Sequence, residues 1–220
     1  MNRFEKQGTT IMTPPVPVLR RLAVALAVTF AAGAPAFAAD GPSFDCAKAD
    51  SEAEELVCSD PKLAALDRRL AERYAAALAV AEGLDAGADS AVADLKATQR
   101  GWIGGRNECW KADDKRACVE AAYLTREGEL VAGFMLEAPT GTARWMCGGN
   151  PANELYAAFF DTELPSVRLE YGDSIDTGSL SRTGSGSRYD ASFGRYIWMK
   201  GDEATFVWTE GEEQTCTVAG

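Results

Sequence analysis

The chain has 220 residues, 33 acidic against 22 basic side chains, a formal net charge of −11 and no histidine. That balance repels nucleic acid and anionic lipid, and the missing imidazole excludes Ser-His-Asp and Cys-His nucleophilic centres. With no C-x-x-C pair either, the sequence calls for no metal and no cofactor.

From the N-terminus, Arg20 and Arg21 precede an apolar run over 22–32, and Ala36-Phe37-Ala38 forms a small-x-small cleavage site. This predicts a signal peptide over residues 1–38, cleaved near Ala38, with export to the periplasm. The run is too short to span a membrane, and no later stretch is apolar enough to do so. No cysteine follows the cleavage site, so a lipid anchor is not expected there. Removing 1–38 takes away Arg3, Lys6, Arg20, Arg21 and Glu5, which leaves 18 basic against 32 acidic residues, a net charge of −14. Such a body would be steered toward basic partners, but the charge taken alone reads first as a means of solubility. All six cysteines lie beyond residue 38, and in an oxidising compartment they predict three disulfides.

A short helix is expected between Cys46 and Cys58, carrying Leu56 and Val57. Ser59-Asp60-Pro61 supplies a cap and a first-turn proline. Leu63, Leu66, Leu70, Tyr74 and Leu78 then repeat at three- and four-residue spacing, one apolar stripe with Asp67, Arg68, Glu72 and Arg73 outside it. Gly83 and Gly87 mark a turn; Asp89 or Ser90 caps a next helix with Val92, Leu95, Trp102 and Ile103 on one face. Gly101, Gly104 and Gly105 predict that this helix ends early or bends, at about 1 kcal/mol each relative to Ala. Val119, Tyr123 and Leu130 predict a third long helix, and Trp102, Trp110 and Tyr123 are expected in the core. The four cysteines here allow three pairings. Antiparallel long helices favour Cys58–Cys109 with Cys46–Cys118, while the local pairs Cys46–Cys58 and Cys109–Cys118 stay open.

Residues 138–144 read as a linker, and beyond them the period falls to two. Strands are predicted over 155–160, 167–171, 196–200 and 205–209, with turns at 172–173, 201–202 and 210–212. Short strands bracketed by Cys147 and Cys216 suggest a small antiparallel barrel or sandwich, stapled first strand to last by a disulfide. The fold class is therefore α+β in two segregated domains: a disulfide-linked helical domain over 44–137 and a β domain over 145–220.

One stretch of the β domain carries chemistry. Ser185-Gly186-Ser187-Arg188-Tyr189 is a polar, glycine-bracketed loop feeding a strand, and Trp198-Met199-Lys200-Gly201-Asp202-Glu203-Ala204-Thr205 follows. This is the build of a plug for another protein's cleft. Taken singly, Ser185 and Gly186 are turn residues, Lys200 is a solvated strand-end lysine, and Tyr189 and Trp198 are core or barrel-wall residues. Taken jointly, with Cys147 and Cys216, they resemble the MliC/PliC family, inhibitors of c-type lysozyme. The resemblance implies an eight-stranded antiparallel barrel, a basic lysozyme as partner, and contacts from Ser185, Gly186, Ser187, Arg188, Tyr189 and Lys200. It also implies that Ser185 and Lys200 meet the lysozyme's catalytic carboxylates. Ser187 stands where that family often has Ala, and the interval from Tyr189 to Trp198 is about one residue longer than usual there.

The helical half resembles the LprI-like family of exported domains. The resemblance is carried by Phe44-Asp45-Cys46, Glu55, Cys58-Ser59-Asp60-Pro61, Leu63, Leu66-Asp67, Gln99-Arg100, Trp102, Arg106-Asn107, Cys109, Cys118 and Tyr123. It too implies lysozyme inhibition for some members. No pair of carboxylates forms a recognisable glycosidase pattern, so an inhibitor rather than an enzyme is expected. The competing expectation is an envelope binding or assembly module acting through the helices.

Overall fold

The computed structural model describes residues 41–150, 152–209 and 211–219. The expected signal peptide over 1–38 and its cleavage site lie outside the described residues.

Four α-helices come first: α1 (Glu52–Ser59), α2 (Pro61–Glu82), α3 (Ala88–Asn107) and α4 (Lys115–Phe134). Asp60 explains the break between α1 and α2. Pro61 cannot donate to a preceding turn and holds Asp60 extended, at φ −106° and ψ 113°. The Asp60 carboxylate then accepts from the amides of Lys62 and Leu63, which opens α2. Asp114 caps α4 in the same manner through the Ala117 amide. The apolar stripe of α2 buries Leu63, Leu66 and Leu70 against Val57, Val119, Tyr123 and Leu130.

Four expectations are corrected here. α3 starts at Ala88 after Gly87, whose φ is +77°, with no side-chain cap from Asp89 or Ser90. It also runs unbroken through Gly101, Gly104 and Gly105 to Asn107. Tertiary anchors override the weak local propensity, because Trp102 Nε1 donates to Ala122 O at 3.1 Å and Arg106 is buried in a polar network. The disulfides are the local ones, Cys46–Cys58 and Cys109–Cys118, not the long-range pairs. Cys58 belongs to the last turn of α1, where it meets the 3-10 turn Cys46–Lys48. Cys109 sits in the 3-10 turn Glu108–Lys111, beside the first turn of α4. Trp102 and Tyr123 are core residues as expected, but Trp110, on that same 3-10 turn, is 52% exposed with the Lys111 ammonium over its ring.

Eight strands follow: β1 (Gly141–Cys147), β2 (Glu154–Phe160), β3 (Ser166–Tyr171), β4 (Ser174–Ser181), β5 (Ser187–Ala191), β6 (Tyr196–Lys200), β7 (Glu203–Val207) and β8 (Glu213–Val218). They form a closed antiparallel barrel in sequence order, β1 pairing with β8. β1 enters the expected linker over 138–144 from Gly141, and the Thr140 amide already donates to Phe159 O at 2.8 Å. Cys147 and Cys216 are register partners, and the expected disulfide joins them. Leu155, Ala157, Val167, Leu169, Ile197 and Phe206 fill the interior. The interval between Tyr189 and Trp198 holds the 3-10 turn Ser192–Gly194. In it Phe193 adopts φ 54°, a left-handed geometry that costs an L-residue about 1–2 kcal/mol.

The helices dock on the barrel through α4. β2 is apolar on both faces, and its outward Ala158 and Phe160 pack on Val131 and Ala132 of α4. Gly128 permits the approach, since a Cβ there would stand 2.9 Å from Ser166 Cβ. Arg168 donates to Gly133 O at 2.6 Å, and Arg69 pairs with Glu163 of the β2–β3 loop at 2.6 Å.

Two glycines on helices should therefore respond with opposite sign. Gly101→Ala, which meets nothing within 4 Å, should raise unfolding stability by about 0.5–1 kcal/mol. Gly128→Val should lower it by about 1–3 kcal/mol through overpacking at the seam. Urea denaturation of both variants checks the pair.

Candidate functional site

The alternation of up and down strands puts the β4–β5 loop (182–186) and the β6–β7 turn (201–202) at one end of the barrel. There β5 and β6 lie side by side, with Ser187 opposite Met199, Arg188 opposite Trp198 and Tyr189 opposite Ile197. Strand parity sends Tyr189 and Ile197 inward, and Arg188, Trp198 and Lys200 outward.

The loop is pinned at three points. Gly186 has φ +71°, and a Cβ there would run into Met199 O and come 2.9 Å from Lys200 Cγ, so only glycine fits this seat. Trp198 Nε1 donates to Ser185 O at 2.9 Å. The Thr183 hydroxyl reaches both Ser185 O and Gly186 O at 3.1 Å. The backbone of the loop is held, while the side chains of Ser185, Ser187 and Lys200 remain exposed. Among the described residues, no group bonds the Ser185 hydroxyl and no carboxylate lies within 4 Å of the Lys200 ammonium. Lys200 Nζ instead rests 3.5 Å from the centroid of the Trp198 ring.

Ser185, Gly186, Ser187 and Lys200 thus share one rim. Ser185 projects from the loop, whereas Ser187 already belongs to β5 and shares the face of Tyr189. Arg188 lies lower on the outer wall: its Nε donates to Asp190 Oδ1 at 2.6 Å and its guanidinium covers the Tyr196 ring at 3.8 Å. The Tyr196 hydroxyl donates to Glu213 Oε2, and partial burial, with that carboxylate, pushes its phenol pKa up. Tyr189 does not join the rim. It is 8% exposed inside the barrel, its ring centroid 5.5 Å from that of Phe159, and burial raises its pKa. Sequence reasoning read Trp198 as core or wall. It is wall, but it also holds the Ser185 carbonyl and carries Lys200. The signal available was the two-residue step from Trp198 to Lys200, which puts both on one face of a strand.

The helical half contains a second polar cluster, made largely of residues that carried its family resemblance. Tyr123 OH donates to Asp67 Oδ1 at 2.8 Å and accepts from Arg106 NH1 at 2.8 Å. Ser43 donates twice to Asp67 Oδ2, and Arg106 also reaches Glu54 Oε1 and Asn107 Oδ1. Burial, foremost, pushes the Tyr123 phenol far above its ordinary pKa. The bonds run among α1, α2, α3 and α4, and the cluster fixes how those helices meet. Among the described residues no three Cys, Asp or Glu side chains converge on a metal position, and no helix is long and apolar enough to cross a membrane.

Two family models match the chain. One, described as lysozyme inhibitor LprI, covers residues 46–150; the other, described as membrane-bound lysozyme-inhibitor of c-type lysozyme, covers residues 145–214. Among curated proteins, Lipoprotein LprI of Mycobacterium tuberculosis and of Mycobacterium bovis are each 32% identical over 151 residues, covering 68% of this chain and 71% of the relative. No solved structure matches.

The pinning makes a local prediction. Trp198→Phe keeps a ring for Lys200 and loses the bond to Ser185 O, so amides 185–187 should exchange faster while the barrel strands keep their protection. Stability should fall by about 1 kcal/mol. Hydrogen–deuterium exchange read by mass spectrometry checks the first outcome and chemical denaturation the second.

Proposed function

Because the chain belongs to the LprI family, we propose that it is an exported inhibitor of a c-type lysozyme that seats its Ser185 loop and Lys200 in the enzyme's catalytic cleft. The LprI and MliC families are protein inhibitors rather than enzymes. The observation that carries the reading is the shared rim: a hydroxyl without a bonding partner and an ammonium without a carboxylate partner among the described residues, the first on a loop whose backbone is fixed and the second at the adjoining end of β6.

The chemistry of the target explains why those two groups suffice. A glycosidase of this type sets a protonated carboxyl and an ionised carboxylate on either side of the sugar bond. A serine hydroxyl can donate to one and accept from the other. A lysine ammonium pairs with the ionised carboxylate, and exclusion of water by the surrounding interface strengthens that bond. Trp198 holds the ammonium without neutralising it, so little has to be broken before Lys200 changes partners. Gly186 serves the loop's own seat against β6 rather than an approach to the enzyme. Because α4 covers β2 to β4, the rim of β5 and β6 stays open to a partner.

Charge acts at two ranges. The mature chain, at −14, draws in a basic lysozyme, while Lys200 is a local cation aimed at an acidic pocket. Three disulfides fit an oxidising compartment such as the periplasm. The helical cluster around Asp67 reads as a structural tie, since each of its charged groups already has a partner, and so lends no weight to a helix-centred binding module.

Inhibition of a c-type lysozyme on peptidoglycan tests the proposal. The parent should inhibit at near-stoichiometric ratio. Lys200→Ala should weaken inhibition about 30-fold or more, equivalent to about 2 kcal/mol, and Ser185→Ala about tenfold. Association should slow as salt rises. Undiminished inhibition by both variants would remove the loop mechanism, and an inert parent would remove the function.

A further inference from the structure

A cleft of about 550 Å³ opens where α3 and α4 face β4, and the inhibitory rim makes no use of it. Thr98, Arg126 and Glu129 line it from the helices, and Ile175, Asp176 and Ser192 from the barrel. Its charges cancel internally. Arg126, almost fully buried, pairs with Glu129 at 2.8 Å, and Asp176, equally buried, pairs with Arg195 at 3.0 Å. Arg126 also donates to Gln99 and Thr98, and Asp176 accepts from the Ser192 hydroxyl at 2.9 Å. A cleft neutralised in this way offers an ion little. The capacity left over, the Thr177 hydroxyl, the second carboxylate oxygen of Glu129 and the acceptor lone pairs of Ser192 Oγ, suits a neutral ligand rich in hydroxyls.

Phe193 follows Ser192, which lines the cleft; the residue is 88% exposed, and its backbone is left-handed at φ 54°. The Arg195 guanidinium, bonded to Asp176 in the cleft, lies 5.9 Å from the ring centroid. Ile175 beside it is also exposed. A strained backbone that holds an aromatic ring in water does nothing for folding, and such outliers gather where ligands are held.

We propose that this cleft binds a β-linked amino-sugar glycan of the cell wall. The Phe193 ring takes the apolar C–H face of one pyranose, and Glu129, Thr177 and Ser192 bond the hydroxyls of the next. The volume falls in the range of small-ligand clefts, roughly 300–1,000 Å³. Binding of a saccharide follows from the cleft alone; the choice of wall glycan rests on the inhibitor reading, which sets the protein beside the polymer its target digests. The β5–β6 loop is at the barrel end opposite the Ser185 loop, so both sites can be filled together.

The test uses the full disulfide-bonded chain, titrated calorimetrically with chitohexaose and with cellohexaose, and co-sedimented with purified peptidoglycan. Chitohexaose should bind saturably and better than cellohexaose, and the protein should sediment with peptidoglycan. Phe193→Ala should weaken both at least fivefold, Phe193→Trp should retain them, and neither should alter lysozyme inhibition. Absence of saturable glycan binding, or equal binding by Phe193→Ala, would overturn the proposal. Equal affinity for cellohexaose would overturn the assignment to the wall. Impaired lysozyme inhibition in Phe193→Ala would make the loop a protein contact instead. Loss of the inhibitor reading alone leaves the glycan titration interpretable.

Discussion

Cys147 and Cys216 face each other across β1 and β8, where the last strand of the sheet meets the first. Once that pair is closed, no strand edge is left open and every strand has its register fixed by two neighbours. Register in turn decides which side chains look outward. At β5 and β6 it sends Tyr189 and Ile197 into the barrel and leaves Trp198 and Lys200 on the wall beneath the Ser185 loop. A slip of one residue would exchange these faces and bury the lysine. The position of the rim therefore depends on closure at the far side of the barrel, several strands away.

α4 serves two cores at once. Val119, Tyr123 and Leu130 face the other helices, and Val131 and Ala132 face β2. Gly128 lets its backbone come close to the barrel, and the Arg69 and Arg168 bonds tie the two sides. This docking covers β2 to β4 and leaves the wall of β5 and β6 to solvent. The helices thus act on the rim by what they leave uncovered, and the cleft beside β4 is a by-product of the same docking.

Much of this was legible in residues with strong local meaning. Asp60-Pro61 marked a helix start, the stripe from Leu63 to Leu78 marked its buried face, and the cysteine bracket marked a small β unit stapled first strand to last. The eight-strand count came from resemblance. Periodicity alone found four strands, because β1, β4, β5 and β8 are short of apolar residues or mix polar ones on both faces. Helix-breaking glycines misled at α3, where Trp102 and Arg106 supply anchors from other helices. The disulfide pairing failed on a segmental detail: Cys58 closes α1 rather than opening α2. At the rim, the expectation for Ser185 and Lys200 came from the family resemblance, and residue pattern alone made them a turn serine and a strand-end lysine. The bond from Trp198 to Ser185 O could not be read, because it needs the loop to fold back across β6.

The three disulfides join cysteines that are consecutive along the chain: first to second, third to fourth, fifth to sixth. A polypeptide threaded into an oxidising compartment from its N-terminus presents its thiols in that same order. The second, fourth and sixth thiols to arrive each find their native mate as the one still unpaired, so stepwise oxidation during translocation yields the native set directly. Production of this protein in the bacterial periplasm consequently has little need of disulfide reshuffling, which the long-range helical pairing would have demanded.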